Sequence, residues 1–234
     1  MAECTVDGRA FLNALTSVLP HASNDPEAAD LCRIDIQVAD TVMISATNRF
    51  TAALSYAPVL NPDGEIWEIA LRPSDAKEIL RLFKPGKDGE VTIRIAQASD
   101  GTGGESRAEF ADVSGMFADE GRQFTVPDIG SEDERGTLVH RLIAGMLTKG
   151  SHDLGRPSFA AGLLALFDAA GRAHLDTLVW TPTGQNAAVL ITCGERFLGL
   201  LMPVRLFDES VTEADELLDA WAARLPETAQ QAVA

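Results

Sequence analysis

The chain has 234 residues, 46 % of them hydrophobic and 23 % charged, enough for one large domain or two small ones with a real core. No apolar run approaches the roughly 18 residues of a membrane span, and Cys4, Cys32 and Cys193 are scattered without a C-x-x-C pattern, which excludes a disulfide framework and a zinc ribbon. The formal charge of −16 argues against uniform phosphate binding, but part of the acid is concentrated at the C-terminus, from Asp208 and Glu209 through Glu213, Asp215, Glu216, Asp219 and Glu227, against Arg224 alone.

Asp7 is placed to cap a helix whose apolar positions Phe11, Leu12, Leu15, Val18 and Leu19 fall on one face. After Pro20 and the Asn24-Asp25-Pro26 cluster the period changes to two. Ile34, Ile36 and Val38 alternate with Arg33, Asp35 and Gln37, and Val42, Ile44 and Ala46 alternate with Met43, Ser45 and Thr47. Phe50, Ala52, Leu54 and Tyr56 form a third strand, and Ala39-Asp40 joins the first two as a hairpin.

Beyond Asn61-Pro62-Asp63-Gly64 the pattern begins again. A strand is predicted at Ile66–Leu71, a helix from Pro73 to about Lys84, and strands at Val91–Ala96 and Arg107–Asp112. The first half therefore holds two copies of a unit in which a helix is followed by antiparallel strands. The second half predicts helices at Leu138–Thr148 and Phe159–Ala170. Strands follow at Leu175–Thr181, Ala187–Cys193 and Arg196–Leu206, one further copy of the unit. An acidic amphipathic helix is expected over Glu213–Leu225.

On the second helix Ala76, Ile79, Leu80 and Phe83 make the core stripe. Lys77, Arg81 and Lys84 lie within roughly 60° of one another on a separate stripe. A compact basic row on an acidic chain suggests an anion-facing surface, with DNA phosphate as the obvious candidate; the alternative is a solvated face pairing locally with Asp75 and Glu78. Arg9 and Asn13 on the first helix add to it, and Arg141, Lys149 and Arg172 are candidates by position.

The run Gly199–Leu206, GLLMPVRL, passes from apolar strand residues through Pro203, which removes a ladder donor and is expected to end the strand at a sheet edge. Met202, Val204 and Leu206 beside Arg205 suggest a peptide-docking lip, because Met adapts to varied partners and Arg fixes a carboxylate or carbonyl. A buried last strand with Arg205 paired internally is the competing reading.

This run resembles the C-terminal signature of bacterial sliding clamps, the β subunits that tether the replicative polymerase to DNA. Ile44–Leu54, ISATNRFTAAL, is similar to a second family strand, and Phe124-Thr125-Val126-Pro127 is similar to the family's link between domains. The resemblance implies an α+β fold of DNA-clamp-like repeats, each a helix followed by antiparallel strands, with a C-terminal amphipathic helix. It implies helices facing duplex DNA without sequence preference, and a cleft for polymerase and clamp-loader peptides. One wall of that cleft is Thr47, Arg49 and Phe50, the other Met202, Pro203, Val204, Arg205 and Leu206.

The expected division is residues 1–124, a shortened second domain at 125–207 and an acidic tail at 208–234. Little room remains between Pro127 and Phe159 for the first unit of the second domain, so closure of a homo-oligomeric ring is left open. No Gly-Lys-Ser/Thr loop, G-x-S-x-G elbow or H-E-x-x-H pair is present, so no catalytic residue, metal or cofactor is expected. The N-terminus lacks a secretory pattern, and a cytoplasmic location is expected. The alternatives are a non-ring interaction module for replication proteins and an acidic DNA mimic.

Overall fold

A computed structural model describes residues 2–62, 64–84, 91–98, 106–115, 121–130, 136–151, 157–184, 187–205 and 208–224. The first half contains β1 (Ala2–Asp7), α1 (Gly8–Val18), β2 (Ile34–Val38), β3 (Thr41–Thr47) and β4 (Thr51–Pro58), followed by β5 (Trp67–Leu71), α2 (Pro73–Leu82), β6 (Thr92–Ala98), β7 (Arg107–Asp112) and β8 (Gln123–Pro127). Each unit is thus a strand, a helix and three strands. Asp7 caps α1 by accepting from Ala10 N at 2.7 Å.

The opening strands are exchanged between the two units. β1 pairs with β6, and β5 pairs with β2, all antiparallel. The sheets are therefore β1-β6-β7-β8 and β5-β2-β3-β4-β11-β10-β9. Neither unit can leave without stripping a strand from the other. Asp128, just past β8, reinforces the exchange: Oδ1 accepts from Ala70 N (2.9 Å) and Gly130 N (2.8 Å), while Oδ2 accepts from Gln97 Nε2 (3.0 Å) and Ser106 Oγ (3.1 Å).

The second half supplies α3 (Gly136–Leu147), α4 (Ala161–Leu164), α5 (Asp168–His174), β9 (Leu178–Pro182), β10 (Val189–Cys193), β11 (Phe197–Leu201) and α6 (Asp208–Arg224). The predicted helix at Phe159–Ala170 is broken: it begins at Ala161, tightens to a 3₁₀ turn at Ala165–Phe167 and ends at His174. β11 pairs with β4 from Phe197↔Ser55 to Leu201↔Thr51, so both halves share one sheet. The expected boundary at 124/125 falls inside β8, which pairs with β7.

One large core lies between the helices and the sheets. Phe11, Leu15, Ile36, Ile44, Ile79, Phe83, Ile93, Phe110 and Phe167 are fully buried in it. A second, smaller core lies on the other side of the longer sheet, where Val139 and Ile143 of α3 meet Ala52, Ala188, Leu190 and Leu200. These strand residues alternate with Ala53, Val189, Ile191 and Leu201 of the large core, so α3 packs on the face opposite α1 and α5.

Candidate functional site

Two surfaces and one cavity are built by this framework. The first surface is the outer side of α2. Pro73 at the first helical position presets the entry, and Ala76, Ile79 and the following Phe83 anchor the helix in the core. Lys77, Arg81 and Lys84 are consequently exposed. Arg81 pairs with Glu78, its Nε donating to Oε2 at 3.0 Å, and this contact holds the Glu78 carboxyl below its ordinary range. Lys77 and Lys84 make no ion pair among the described residues.

Arg9 is exposed on α1, and Arg172 on α5 is paired with Asp168 at the i, i+4 spacing. Arg141 and Lys149 do not join this group. Arg141 is exposed on α3 and Lys149 in the turn after it, on the far side of the longer sheet. The sequence places both on a helical segment, but only packing decides which sheet face that segment covers.

The second surface is where β11 runs out of its ladder. Pro203 does not lie at a sheet edge, since β11 is paired on both sides; the strand stops at Leu201 and the chain leaves the sheet lengthwise. Met202 N donates to Phe50 O (2.9 Å), which sets Phe50 beside Met202, and Val204 N donates to Ser158 O (2.7 Å); Phe50, Met202 and Val204 keep 59, 44 and 47 % of their surface exposed. The Asn48–Phe50 turn is self-supporting: Asn48 Oδ1 accepts from Phe50 N (3.1 Å) and Thr51 N (2.8 Å). That allows Arg49 to hold φ 77°, a left-handed conformation costing on the order of 1 kcal/mol for a non-glycine residue.

Arg49 and Arg205 are both exposed at this lip, and Pro203 is half-buried. Thr47 faces the turn, its hydroxyl donating to Thr51 O at 2.8 Å. Leu206 lies outside the described residues.

The cavity was not signalled by any motif. It has about 280 Å³ and lies on the outer face of β2, β3 and β5, walled by Arg33, Asp35, Glu68, Asp128 and His140 among others. Arg33 Nε donates to Asp35 Oδ1 (2.6 Å) and Gln37 Nε2 to Glu68 Oε1 (2.6 Å). Burial pushes the Asp35 carboxyl up against the opposing pull of Arg33. Burial likewise pushes His140 down, and its buried Nε2 has no hydrogen-bond partner among the described residues. Sequence showed only that Arg33, Asp35 and Gln37 share the polar side of one strand; Glu68, Asp128 and His140 arrive from three other places.

No family model and no curated protein matches the sequence. Solved structures do match the architecture. The DNA polymerase sliding clamp from Bacillus subtilis aligns with a TM-score of 0.60 and 12 % identity, over 88 % of this chain and 65 % of that one. The fold is that of the sliding clamps. A putative DNA polymerase III beta subunit from Eubacterium rectale gives a TM-score of 0.60 at 9 % identity, over 87 % of this chain and 65 % of that one. The DNA polymerase III subunit beta from Pseudomonas aeruginosa gives 0.59 at 12 %, over 88 % and 66 %. The chain thus spans about two thirds of the length of these clamps. The helix-and-strand unit read from the sequence is present here in two full copies and one partial copy.

Proposed function

We propose that this chain is a clamp-like, non-catalytic processivity factor that rides on duplex DNA and holds a polymerase by a short peptide. The reading is carried by α2, whose outer side presents Lys77, Arg81 and Lys84 while its inner side is fixed in the core. On a chain of net charge −16, cations gathered on a rigid helix give local attraction to phosphate without base readout. Contacts of that kind are weak and salt-sensitive, as sliding requires. The lip formed by Phe50, Met202 and Val204 with Arg49 and Arg205 is suited to an apolar peptide carrying an acidic or carbonyl group.

Replacing Lys77, Arg81 and Lys84 together by Glu tests the assignment. All three side chains are exposed, so the fold is expected to persist. Duplex binding at low salt is expected to weaken strongly, and the salt slope to flatten by up to about 2.7 if all three cations release counterions. Unchanged affinity and slope in a folded variant would refute the reading.

A second reading, an interaction module that does not encircle DNA, is favoured by one observation: β4 already pairs with β11 of the same chain, so this edge of the first unit is taken within the chain. Retention on closed circular DNA with release on linearisation supports a ring. Equal binding to both forms supports the module.

A further inference from the structure

Helix α6 presents an apolar stripe that is exposed among the described residues. Leu217, Leu218 and Trp221 fall within about 100° of arc on one side of the helix and are 61, 59 and 61 % exposed. Glu213 and Glu216 border the stripe on one flank, and Arg224 sits over the Trp221 ring at 5.3 Å. Between Asp208 and Arg224 the helix carries six acids against that single arginine. Pairing of two α6 helices would therefore bring like charges together. The stripe calls for an apolar surface with a basic rim.

The lip is such a surface. Phe50, Met202 and Val204 are exposed, Met202 is bonded through its backbone to Phe50 with Val204 two residues further on, and Arg49 and Arg205 stand beside them on the same two segments. A helix cannot place this stripe on its own lip. α6 begins three residues beyond Arg205, and Leu217 lies nine residues further, about 13 Å along the axis. Folding back would carry the stripe behind the lip, where the outer face of the sheet is covered by α3 and the inner face by α4 and α5.

We infer that α6 docks its Leu217–Trp221 stripe on the Phe50–Met202–Val204 lip of a second copy of this chain, with Glu213 and Glu216 facing the partner's arginines. Two such contacts, exchanged reciprocally, close a two-fold dimer. The inference shares the lip with the proposed function, whose peptide would compete for it, but does not require DNA.

Sedimentation and light scattering of the full chain across a concentration series, without DNA, test it. The expected mass moves from 25.0 kDa towards twice that value, and the dimer weakens as salt is raised. Leu217→Asp with Trp221→Asp, on exposed positions, is expected to raise the dissociation constant at least about tenfold. Arg49→Glu with Arg205→Glu is expected to do the same, and adding Glu213→Arg with Glu216→Arg to that variant is expected to restore association. Failure of the charge exchange to restore it overturns the docking geometry.

A monomer at every concentration, or a dimer indifferent to Leu217 and Trp221, overturns the inference. A monomer in which Trp221 is shielded from a soluble quencher also overturns it, since that result means docking within one chain. Duplex binding measured on the Leu217→Asp/Trp221→Asp variant separates this failure from that of the DNA reading, because the α2 cations are untouched.

Discussion

Acidification from pH 7 to pH 5 is expected to destabilise the protein through His21. This ring is fully buried, edge-on to Phe167 at 4.6 Å between centroids, and its Nδ1 lies 3.0 Å from Thr51 Oγ1. Desolvation lowers its pKa from 6.5 to about 3. The folded protein therefore keeps the ring neutral through this range, while the unfolded chain protonates it below 6.5. Proton uptake by the unfolded state removes about 2 kcal/mol of stability by pH 5, and more as pH falls towards 3. His140 and His174, also lowered by burial, act in the same direction. Urea unfolding of the native chain and of His21→Phe at both pH values isolates the His21 share. The native midpoint is expected to fall by about 1 M, and the variant, though about 1 kcal/mol weaker at pH 7 for loss of the Thr51 contact, is expected to lose about 2 kcal/mol less between the two. Parallel pH dependence in the two proteins would refute the reasoning.

Asp128→Ala leaves Ala70 N, Gly130 N, Gln97 and Ser106 without their shared acceptor. It is expected to cost about 2–3 kcal/mol, seen as a fall of several degrees in thermal midpoint, with Asp128→Asn milder because one oxygen remains. Gly199→Ala would place a methyl 2.5 Å from Phe167 Cε1 and 3.3 Å from Ala52 O. A loss of about 1–3 kcal/mol by chemical denaturation is expected, and a neutral result would mean that the Phe167 ring can turn aside freely.

Local patterns were legible where a residue's neighbours in sequence decide its place. The Ile34, Ile36, Val38 alternation is β2 with those three side chains buried, and the Ala76, Ile79, Phe83 stripe is the buried side of α2. Asp7 caps α1 as its chemistry implies. What escaped was set by distant partners. β1 is a six-residue stretch with Cys4 and Val6 buried and Ala2 partly so, and it is a strand because it pairs with β6 some ninety positions away. Phe124–Pro127, read as a link, belongs to β8 because β7 lies beside it. Of the proposed site residues, Phe50 comes beside Met202 because it borders a strand that pairs with β11. Arg141 and Lys149 lie across the longer sheet from α1 and α5, a placement that was not legible because amphipathicity fixes which side of a helix is apolar and leaves open which face of a sheet receives it.

The partial third unit is stable for a reason visible in its smallest residues. A three-stranded meander such as β9-β10-β11 is near the minimum for independent stability, and here it extends an existing four-stranded sheet. The joint needs helices close on both sides at once. Ala53 and Gly199 leave room for Phe167 on the inner face, and Ala52 with Ala188 leaves room for α3 on the outer. α3 thus covers a sheet face that would otherwise expose Leu190 and Leu200. The joint also limits how copies could meet by sheet extension. Val59–Asn61 bonds along β1, Asp128–Ile129 bonds along β5, and β4 is paired with β11. Among the described strands, β8 and β9 keep a side without a backbone partner, so a head-to-tail ring built by strand pairing would run β8 to β9. Such a ring would survive Leu217→Asp with Trp221→Asp, whereas the reciprocal α6 dimer would not, and the same variant distinguishes the two assemblies.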